Sequence, residues 1–480
     1  MSTFTRRRLL ERIAAAAVAA PYVLAGNRAR AQLPPPPNLP ASEALLLRPS
    51  DAAFSQYQDA FNLRTELTPQ LRALCKTANA VGVMVDWCRS NRLPFALRCG
   101  GHSYEGFSQS ASVVIDFRMI DAIAVDPKTN TATVGAGASL GDLYRAIAQH
   151  GYAFPGGSCP TVGVSGHLLG GGYGYLARPY GLACDNLIGL DLIDPQGKPV
   201  HADLQQNTDL FWANRGGGGG SFGAVTGYRL NLIKLSSVLT FNIKLPALSP
   251  TRAAGIMKEW QAWAPQAPRT IDSNLVLAKH SGSSTVDLRC AGQSIGTLQE
   301  LKRELRFLSS SPLVTQRSFF DAVNYFAGSD GWNYKAQEAL MKGKSDYATS
   351  AISDAGLATL TGELSRREGI YVICDSYGGA IAAIAPNGTA FAHRKELYCI
   401  QYGSTWTDPK DTKDRLQNMS DFYATMRPFV SGGAYVNYCD KDLANWPDAY
   451  WGQNLARLKQ IKSSFDPDNV FQHAQSVPEA

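Results

Sequence analysis

Short runs of apolar and β-branched residues, each closed by turn residues, recur through residues 93–233. Runs of this length are typical of strands, and two of them flank an Asp-Pro-Lys-Thr-Asn turn, as in a hairpin. The predicted strands are 93–98, 113–116, 123–125, 131–134, 189–193 and 224–233. Helical spacing is confined to segments 71–89, 140–150 and 209–215. Because no G-x-G-x-x-G turn opens a helix within a βαβ unit, the pattern predicts an α+β region and disfavours a Rossmann fold.

The pattern changes between residues 239 and 429, where longer strand-like runs alternate with helical ones. The strand-like runs are 240–245, 274–278, 286–290, 369–376 and 396–402, and the helical runs are 252–264 and 297–309. This alternation predicts one antiparallel sheet with helices on one face. Beyond it, 451–465 is predicted to be a helix. Residues 435–438 are interpreted as a strand with Tyr435 and Asn437 on one face and Tyr438 on the other.

The first 31 residues have the order of charge and hydrophobicity of an export signal. Arginines at 6–8 precede an apolar run at 13–25, and Ala29-Arg30-Ala31 offers a cleavage site before Gln32. The apolar run is shorter than the roughly 20 residues that cross a bilayer, so no stable membrane insertion is expected. The segment around the arginines resembles a twin-arginine motif, with an ordinary Sec signal as the alternative. We therefore expect a periplasmic or secreted protein.

Composition narrows the class of protein only moderately. The 480 residues are 45% apolar and 18% charged, which is ordinary for a soluble protein of two or three domains. The net charge of +6 includes the arginines of the export signal, and no basic stripe is interleaved with aromatic residues, so nucleic acid is not an expected partner. Nine cysteines in an exported protein permit disulfides, whose pairing cannot be read from the sequence.

Two glycine-rich loops carry the candidate chemistry. Residues 98–106 read RCGGHSYEG and residues 155–174 read PGGSCPTVGVSGHLLGGGYG. Glycine sacrifices side-chain packing and costs backbone entropy, so its concentration indicates close approach of the backbone to a ligand or positive φ angles. Successive backbone N–H groups in such turns also form anion-binding nests. One loop presents His102 and the other presents Cys159.

Together the two loops resemble those of the berberine bridge enzyme-like branch of the FAD-linked oxidases, within the vanillyl-alcohol-oxidase type of flavoprotein. The resemblance implies an α+β fold with a discontinuous PCMH-type FAD-binding domain and a substrate domain built on an antiparallel sheet. It also implies a bicovalent FAD, with His102 attached to the 8α-methyl carbon and Cys159 to C6. The other cofactor-binding residues that it implies are Arg98, Cys99, Gly100, Gly101, Ser103, Tyr104, Val162, Gly163, Gly166, His167, Gly170, Gly171, Gly172, Gly174, Val225 and Asn437.

The predicted domain bounds follow from the composition and the resemblance. They are a signal peptide at 1–31, a proline-rich linker at 32–44, the FAD-binding domain at 45–235, the substrate-binding domain at 236–430, and a C-terminal segment at 431–480 that returns to the FAD-binding domain.

Tyr435 is the candidate general base, because the resemblance places Asn437 on the flavin and hence Tyr435 over the substrate. A phenol with an ordinary pKa of about 10 needs a partner to accept a proton at neutral pH, and Asp375 is the expected partner. Tyr377, on the same strand face, and Gln401 are the other candidate catalytic residues. Tyr438 remains an alternative to Tyr435.

The resemblance implies an oxidase that takes a hydride from a hydroxyl-bearing carbon, with a small-molecule substrate and O₂ as partners. Val162 favours an oxidase, because a bulkier leucine near this position is associated with dehydrogenases. The expected substrate is a carbohydrate or another alcohol, and the alternative is a phenolic or alkaloid-like metabolite. Candidate sugar-stacking aromatics, which are equally common in protein cores, are Trp332, Tyr334, Trp406 and Trp446. A secreted binding protein without cofactor is the alternative outside enzymes, and a monomer is expected.

Overall fold

The computed structural model describes residues 32–58, 60–309, 316–324 and 339–480. The first sheet combines β1 (Ala44–Leu47), β2 (Leu71–Cys75), β3 (Phe95–Arg98) and β4 (Val113–Asp116) in the order β1-β2-β4-β3. Strand β4 runs parallel to both β2 and β3. Helix α1 (Ala78–Ser90) connects β2 to β3. The first glycine-rich loop therefore begins at the carboxyl end of a parallel strand.

The prediction of one helical segment over 71–89 is wrong in its first part. Residues Leu71–Cys75 form a strand in which all five residues are buried, and the helix starts only after Thr77. The Thr77 side chain caps the helix by accepting a hydrogen bond from the N–H of Ala80. A strand that is buried on both faces has no apolar–polar alternation. The apolar residues of β2 therefore could not be distinguished from the helical pattern of the segment that follows.

The second sheet contains the predicted strands 123–125, 131–134, 189–193 and 224–233, whereas the strand Pro199–Asp203 and the short strand Tyr152–Ala153 of this region were not predicted. The strands of this region are β5 (Ile123–Asp126), β6 (Thr131–Gly135), β7 (Tyr152–Ala153), β8 (Leu187–Ile193), β9 (Pro199–Asp203), β10 (Ala224–Asn231) and β11 (Ile233–Lys234). Five of them pair in the order β5-β6-β10-β8-β9, and β7 pairs with β11. The helices of this region are α2 (Leu140–Ala148), α3 (Val164–Leu169), α4 (Ala177–Tyr180) and α5 (Thr208–Ala213). The predicted hairpin is present as β5 and β6.

A seven-stranded antiparallel sheet forms the next part of the chain. Its strands are β12 (Ser237–Leu248), β13 (Ile271–Lys279), β14 (Val286–Ser294), β15 (Gln316–Asn324), β16 (Leu340–Ala348), β17 (Ile370–Ser376) and β18 (Tyr398–Trp406). Their order is β15-β12-β14-β13-β17-β18-β16. Strands β15 and β16 were not predicted. The expected antiparallel sheet is otherwise confirmed, as is the α+β class.

The two faces of this sheet have different partners. The helices are α6 (Pro250–Trp263), α7 (Leu298–Glu304), α8 (Arg306–Ser309), α9 (Asp354–Arg366), α10 (Gly379–Ala383) and α11 (Thr412–Met426). Trp260 of α6, Leu360 of α9 and Phe422 of α11 belong to one buried core with Leu275 and Val372 of the strands. Burial of such side chains stabilises each by about 1.5–3 kcal/mol. The alternate strand residues face a cleft.

The C-terminal segment contains α12 (Trp446–Trp451) and α13 (Leu455–Phe465). The interpretation of 435–438 as a strand is wrong, because Val436–Tyr438 forms a single 3-10 turn. The Tyr435 N–H donates a hydrogen bond to the Ser345 hydroxyl instead of entering a ladder. A turn breaks the two-residue alternation, so the predicted facing of Tyr435 and Tyr438 does not apply.

Several expectations concern the remaining features of the chain. The proposed export signal and the aromatics Trp332 and Tyr334 lie outside the described residues. All nine cysteines are free thiols, seven of them buried. In the described ranges, every helix falls short of the length and hydrophobicity that a bilayer span requires. Residues Asn38–Ala480 form one unit, and the domain bounds within it stay predictions.

Candidate active site

A cleft of about 1020 Å³ is lined by both glycine-rich loops, by the open face of the seven-stranded sheet and by the C-terminal segment. The sheet contributes alternate residues of β17, namely Tyr371, Ile373 and Asp375, and Gln401 from β18. Neighbouring residues of β17 contribute to the opposite, helix-covered core. The alternation of a strand thus divides β17 between the core and the cleft.

His102 and Cys159 lie beside the same cleft and share one neighbour. The hydroxyl of Thr161 is 3.0 Å from His102 Nε2 and 3.5 Å from Cys159 Sγ. Phe61 stacks on the His102 ring at a centroid distance of 4.3 Å. Burial and, secondly, the Arg98 charge lower the pKa of His102 to about 4, so the imidazole is neutral at physiological pH. Cys159 is a partly exposed thiol.

The backbones of the two loops are in direct contact. A Cβ atom at Gly100 would collide with the backbone N of Gly163 and lie 2.8 Å from its Cα. At Gly101 the backbone has φ of +71°, and a Cβ there would meet the guanidinium of Arg98. Arg98 is buried and forms an ion pair with Asp116 at 3.7 Å. Gly100 is required because no side chain fits between the loops, and Gly101 because of its positive φ and its contact with Arg98.

Asn437 connects the second loop with Tyr435. Its side-chain amide donates to the carbonyl oxygen of His167 at 3.1 Å and to the Tyr435 hydroxyl at 3.0 Å. The Tyr435 hydroxyl accepts a second hydrogen bond, from the N–H of Gly172, at 2.9 Å. His167 Nε2 accepts from the Gly157 N–H, and burial lowers the pKa of His167 to about 4. The nitrogen that accepts this bond carries no proton, so His167 is neutral.

Asp375 is hydrogen-bonded to Tyr438 and not to Tyr435 as expected. The Tyr438 hydroxyl donates to Asp375 Oδ2 at 3.3 Å. Burial, reinforced by the negative charge of Asp272, raises the pKa of Asp375 to about 7. Burial and then the Asp375 charge raise the pKa of Tyr438 above its ordinary range. The pair therefore consists of a protonated phenol and a carboxyl group that titrates near neutral pH.

Aromatic rings cover the adjoining part of the sheet. Tyr104 and Tyr438 stack in parallel, with centroids 5.8 Å apart and an interplanar angle of 2°. Gln401 Nε2 donates to the Tyr104 hydroxyl at 2.7 Å. Gly343 leaves room for the Tyr104 ring, since a Cβ there would lie 2.6 Å from Tyr104 Cδ2. Flat rings thus form one wall of the cleft.

Comparison with known proteins assigns the chain to a family. Residues 69–203 match the family model described as an FAD binding domain, and residues 434–478 match the one described as berberine and berberine like. The uncharacterized FAD-linked oxidoreductase YgaK of Bacillus subtilis is 31% identical over 440 residues, which cover 89% of this chain and 95% of that relative. The chain belongs to the berberine bridge enzyme-like family of FAD-linked oxidoreductases.

Two other members of the berberine bridge enzyme-like family extend the comparison. Monolignol oxidoreductase AtBBE-like 13 of Arabidopsis thaliana is 32% identical over 428 residues, covering 81% of this chain and 79% of that protein. The solved structure of Physcomitrella patens BBE-like 1 has a TM-score of 0.85 and 29% identity, and the match covers 92% of this chain and 98% of that one. The similarity thus spans both the FAD-binding region and the seven-stranded sheet.

The cleft of this berberine bridge enzyme-like protein fits FAD. Its floor is backbone contributed by the two loops and by a third glycine run at 217–220, and these segments admit a flat ring and a phosphate chain closely. Arg98 supplies a buried positive charge beside the first loop. His102 and Cys159 supply two nucleophilic side chains. FAD is therefore the cofactor, and the covalent bonds to it belong to the proposal below.

Most of the predicted site residues line the cleft. They are Arg98, Cys99, Gly100, Gly101, His102, Ser103, Tyr104, Cys159, Val162, Gly163, Gly166, His167, Gly174, Val225, Asp375, Gln401, Tyr435 and Asn437. Gly170, Gly171 and Gly172 do not line the cleft, and Gly170 packs against Asn437 and Gly171 against Phe391. Tyr377 is buried with its hydroxyl 3.4 Å from that of Tyr347. The roles of all these residues stay predictions.

Sequence reasoning did not identify two residues that the structure brings to the site, and it gave a third, Tyr438, only as an alternative base. Thr161 lies in the second glycine-rich loop, two residues after Cys159, and its hydroxyl is close to both candidate anchors in space. Hydroxyls in turns are too common for the sequence to single this one out. Tyr371 lines the cleft and lies on the same face of β17 as Ile373 and Asp375. The two-residue alternation of this strand, counted back from Asp375, is the sequence signal that could have identified it. Tyr438 was considered only as an alternative, because the turn at 436–438 was taken as a strand.

Proposed function

We propose that this protein is an FAD-dependent oxidase that takes a hydride from a hydroxyl-bearing carbon of a carbohydrate or another alcohol, with O₂ as acceptor and H₂O₂ as product. The observation that carries the proposal is the Tyr438–Asp375 pair, whose hydroxyl and carboxylate meet at 3.3 Å in the cleft lined by His102 and Cys159. A phenol next to a carboxyl group of near-neutral pKa suits removal of a hydroxyl proton.

The proton path follows from the hydrogen bonds of the chain. Tyr438 takes the substrate hydroxyl proton as it passes its own proton to Asp375. Because the two transfers are coupled, Tyr438 does not have to become a free phenolate. The bound FAD supplies the hydride acceptor, and the substrate carbon becomes a carbonyl. Tyr104, held by Gln401, packs against the Tyr438 ring and limits its rotation. A fixed phenol places the proton acceptor in one orientation.

Tyr435 has a different environment from Tyr438. Its hydroxyl oxygen already accepts hydrogen bonds from the Gly172 N–H and the Asn437 amide. Its proton is consequently available to a neighbouring acceptor, and we propose that Tyr435 donates a hydrogen bond in the cleft and orients the bound groups. Burial raises the pKa of Tyr435 above its ordinary range, and among the described residues the hydrogen-bond partners of its hydroxyl are Gly172 and Asn437, with no carboxylate. Tyr435 as general base is the alternative that the variants below test.

We also propose bicovalent attachment of FAD through His102 and Cys159. The neutral imidazole of His102 retains a lone pair for bond formation, and the Thr161 hydroxyl holds its Nε2. Each covalent bond would replace a C–H bond of the flavin and release two protons and two electrons, which O₂ would accept. The same hydroxyl lies near Cys159 Sγ, so both side chains are held at one edge of the cleft. Val162 lines this part of the cleft and supports O₂ access, since its side chain is shorter than leucine.

A second candidate function is oxidation of a phenolic or alkaloid-like metabolite. The parallel Tyr104–Tyr438 pair, with Tyr371 and Trp406 in the same cleft, favours a flat aromatic substrate. One family member is named for monolignols, which supports this candidate. The same proton path serves an aromatic alcohol.

A substrate panel separates the two functions. Purified yellow protein is supplied with oligosaccharides in one set and aromatic alcohols in the other, and O₂ uptake and H₂O₂ release are measured together. Peroxide release with sugars alone supports the first proposal, and release with aromatic alcohols alone supports the second. If a substrate bleaches the flavin under anaerobic conditions but causes no O₂ uptake in air, the protein is a dehydrogenase instead. Asp375→Asn is the inactive control.

A further inference from the structure

A buried cluster of charges lies behind the stacked tyrosines. Lys342 Nζ is 2.6 Å from Glu105 Oε1 and 2.6 Å from Asp440 Oδ1. Lys344 Nζ is 2.7 Å from Asp440 Oδ2, and both lysines also contact Asp442. The side chains of Lys342, Lys344, Glu105 and Asp440 are each at most 4% exposed. Burying an ammonium is costly unless carboxylates surround it, so the network specifies one arrangement of its members.

The network remains charged. Burial by itself would lower the pKa of Lys342, but Asp440 and Glu105 raise it above its ordinary value. The same two lysines hold the pKa of Asp442 at about 2, against the opposite effect of burial. Arg64 adds a third cation by pairing with Glu105 at 2.9 Å. The ion pairs of the network thus join three cationic side chains to three carboxylates.

The members of the network come from three distant parts of the sequence. Glu105 lies in the first glycine-rich loop, Lys342 and Lys344 lie on β16, and Asp440 belongs to the C-terminal segment. The Asp440 N–H donates to the Tyr450 hydroxyl, and its carbonyl accepts from Gln475. Lys342 thus connects the two loops to each other through one side chain at the sheet edge, because it pairs with a carboxylate of each.

Both loops carry a stacked tyrosine next to their carboxylate. Glu105 directly follows Tyr104, and Asp440 is two residues beyond Tyr438. Gly343, between the two lysines, admits the Tyr104 ring onto the strand. Asn62 strengthens this attachment, because its amide donates to the Tyr104 carbonyl at 2.6 Å and to the Met341 carbonyl at 3.1 Å.

We propose that Lys342 is a positioning residue, which acts through Glu105 and Asp440 to hold the rings of Tyr104 and Tyr438 parallel. The contribution to catalysis rests on the proposed function, in which Tyr438 transfers the proton to Asp375. The positioning itself is a property of the fold. Without Lys342 we expect the two loops to shift against each other, which tilts the Tyr104 and Tyr438 rings and moves the Tyr438 hydroxyl out of line with Asp375.

The test is the crystal structure of a charge-balanced double variant, Lys342→Met/Glu105→Gln, of the full FAD-loaded protein. It removes one cation and one carboxylate, so the numbers of cationic and acidic side chains in the network stay equal. We expect unchanged flavin content and loss of the parallel stack, with the centroid distance beyond the roughly 7 Å limit of aromatic pairs or the planes opened by tens of degrees. An unchanged ring pair at 5.8 Å and 2° would overturn the proposal.

A second variant keeps the test decisive if the double variant does not fold. Glu105→Ala releases the Tyr104 loop while Lys342 retains Asp440 and Asp442 as partners. We expect the Tyr104 ring to move and the Tyr438 ring to stay. Retention of the wild-type stack in this variant equally rejects the proposal.

The matched control is Asp346→Asn/Arg427→Met. This pair also joins a buried carboxyl group of β16 to a cation at 2.5 Å, and the variant likewise removes one acidic and one basic side chain. We expect it to lower the melting temperature and leave the ring pair unchanged.

With a panel substrate, the Lys342 double variant should lose about tenfold or more in kcat per bound flavin, and the control should not. If the panel yields no substrate, the proposed function fails while the ring geometry still decides this inference.

Discussion

The hydroxyl of Tyr438 donates a hydrogen bond to Asp375 across 63 positions of the sequence. Asp375 lies near the end of β17, and Tyr438 ends a 3-10 turn of the C-terminal segment. The Tyr438–Asp375 pair therefore exists only when that segment is folded against the sheet. Under the proposed function, the C-terminal segment of this protein contributes to proton transfer in addition to packing.

The pH dependence of kcat/KM should report Asp375. Its pKa is raised to about 7, and only the ionised form can accept the Tyr438 proton, so activity falls as pH drops below about 7. At pH 5 about 1% of a group with this pKa is ionised, so the rate should drop roughly tenfold per pH unit. Stopped-flow reduction of the flavin over pH 5–9 measures this limb. Asp375→Asn should remove it and lower turnover by at least ~100-fold.

Substitution of the two tyrosines distinguishes their roles. Tyr438→Phe should lower flavin reduction by at least ~100-fold, because the proton acceptor next to Asp375 is lost. Tyr435→Phe removes a hydroxyl that accepts bonds from Gly172 and Asn437, so we expect a smaller loss and a changed flavin absorption spectrum. Single-turnover kinetics with one panel substrate measure both. The reverse ranking would assign the base to Tyr435.

Covalent attachment of the cofactor can be measured directly by mass spectrometry. Peptides that contain His102 and Cys159 should each carry the mass of flavin after digestion, and acid precipitation should leave the protein yellow. In Cys159→Ala the flavin should remain on His102, and in His102→Ala it should remain on Cys159. Thr161→Val removes the hydroxyl shared by both side chains, so slower attachment at both is expected. Unmodified wild-type peptides would reject covalent attachment while leaving FAD binding intact.

The contact between the two glycine-rich loops should be intolerant of any side chain. Gly100→Ala places a methyl group against the backbone of Gly163, where neither atom can move away without shifting a loop. We expect loss of most bound flavin and a melting temperature lower by several degrees. Gly362→Ala in α9 is the control, because its methyl group meets nothing within 4 Å. That change should be neutral or stabilising by up to about 1 kcal/mol. Flavin-loaded Gly100→Ala protein would contradict the close packing.

Export can be tested from the mature protein. We propose cleavage after Ala31, so mass spectrometry of protein from the periplasm or medium should find Gln32 at the N-terminus. Replacing Arg6, Arg7 and Arg8 with Lys should retain the protein in the cytoplasm if the twin-arginine route is used. Export of that variant at the wild-type level would favour the Sec route instead.

Local sequence was a good guide where structure depends on neighbouring residues. The hairpin at β5 and β6, the strand β4 and the helix α2 follow from turn residues and periodicity that lie within each segment. The predictions failed where tertiary contacts override local pattern. Strand β2 is buried on both sides and merged with the following helix, and β15 and β16 were not recognised.

By itself the sequence determined the α+β class, the family and the two loops that present His102 and Cys159, because glycine demand and motif spacing are properties of short segments. Only the tertiary structure decided which tyrosine faces Asp375 and that Lys342 ties both tyrosine-bearing loops to β16. These relations join residues separated by 63 to 237 positions. They depend on strand register and on one 3-10 turn, which no local pattern encodes.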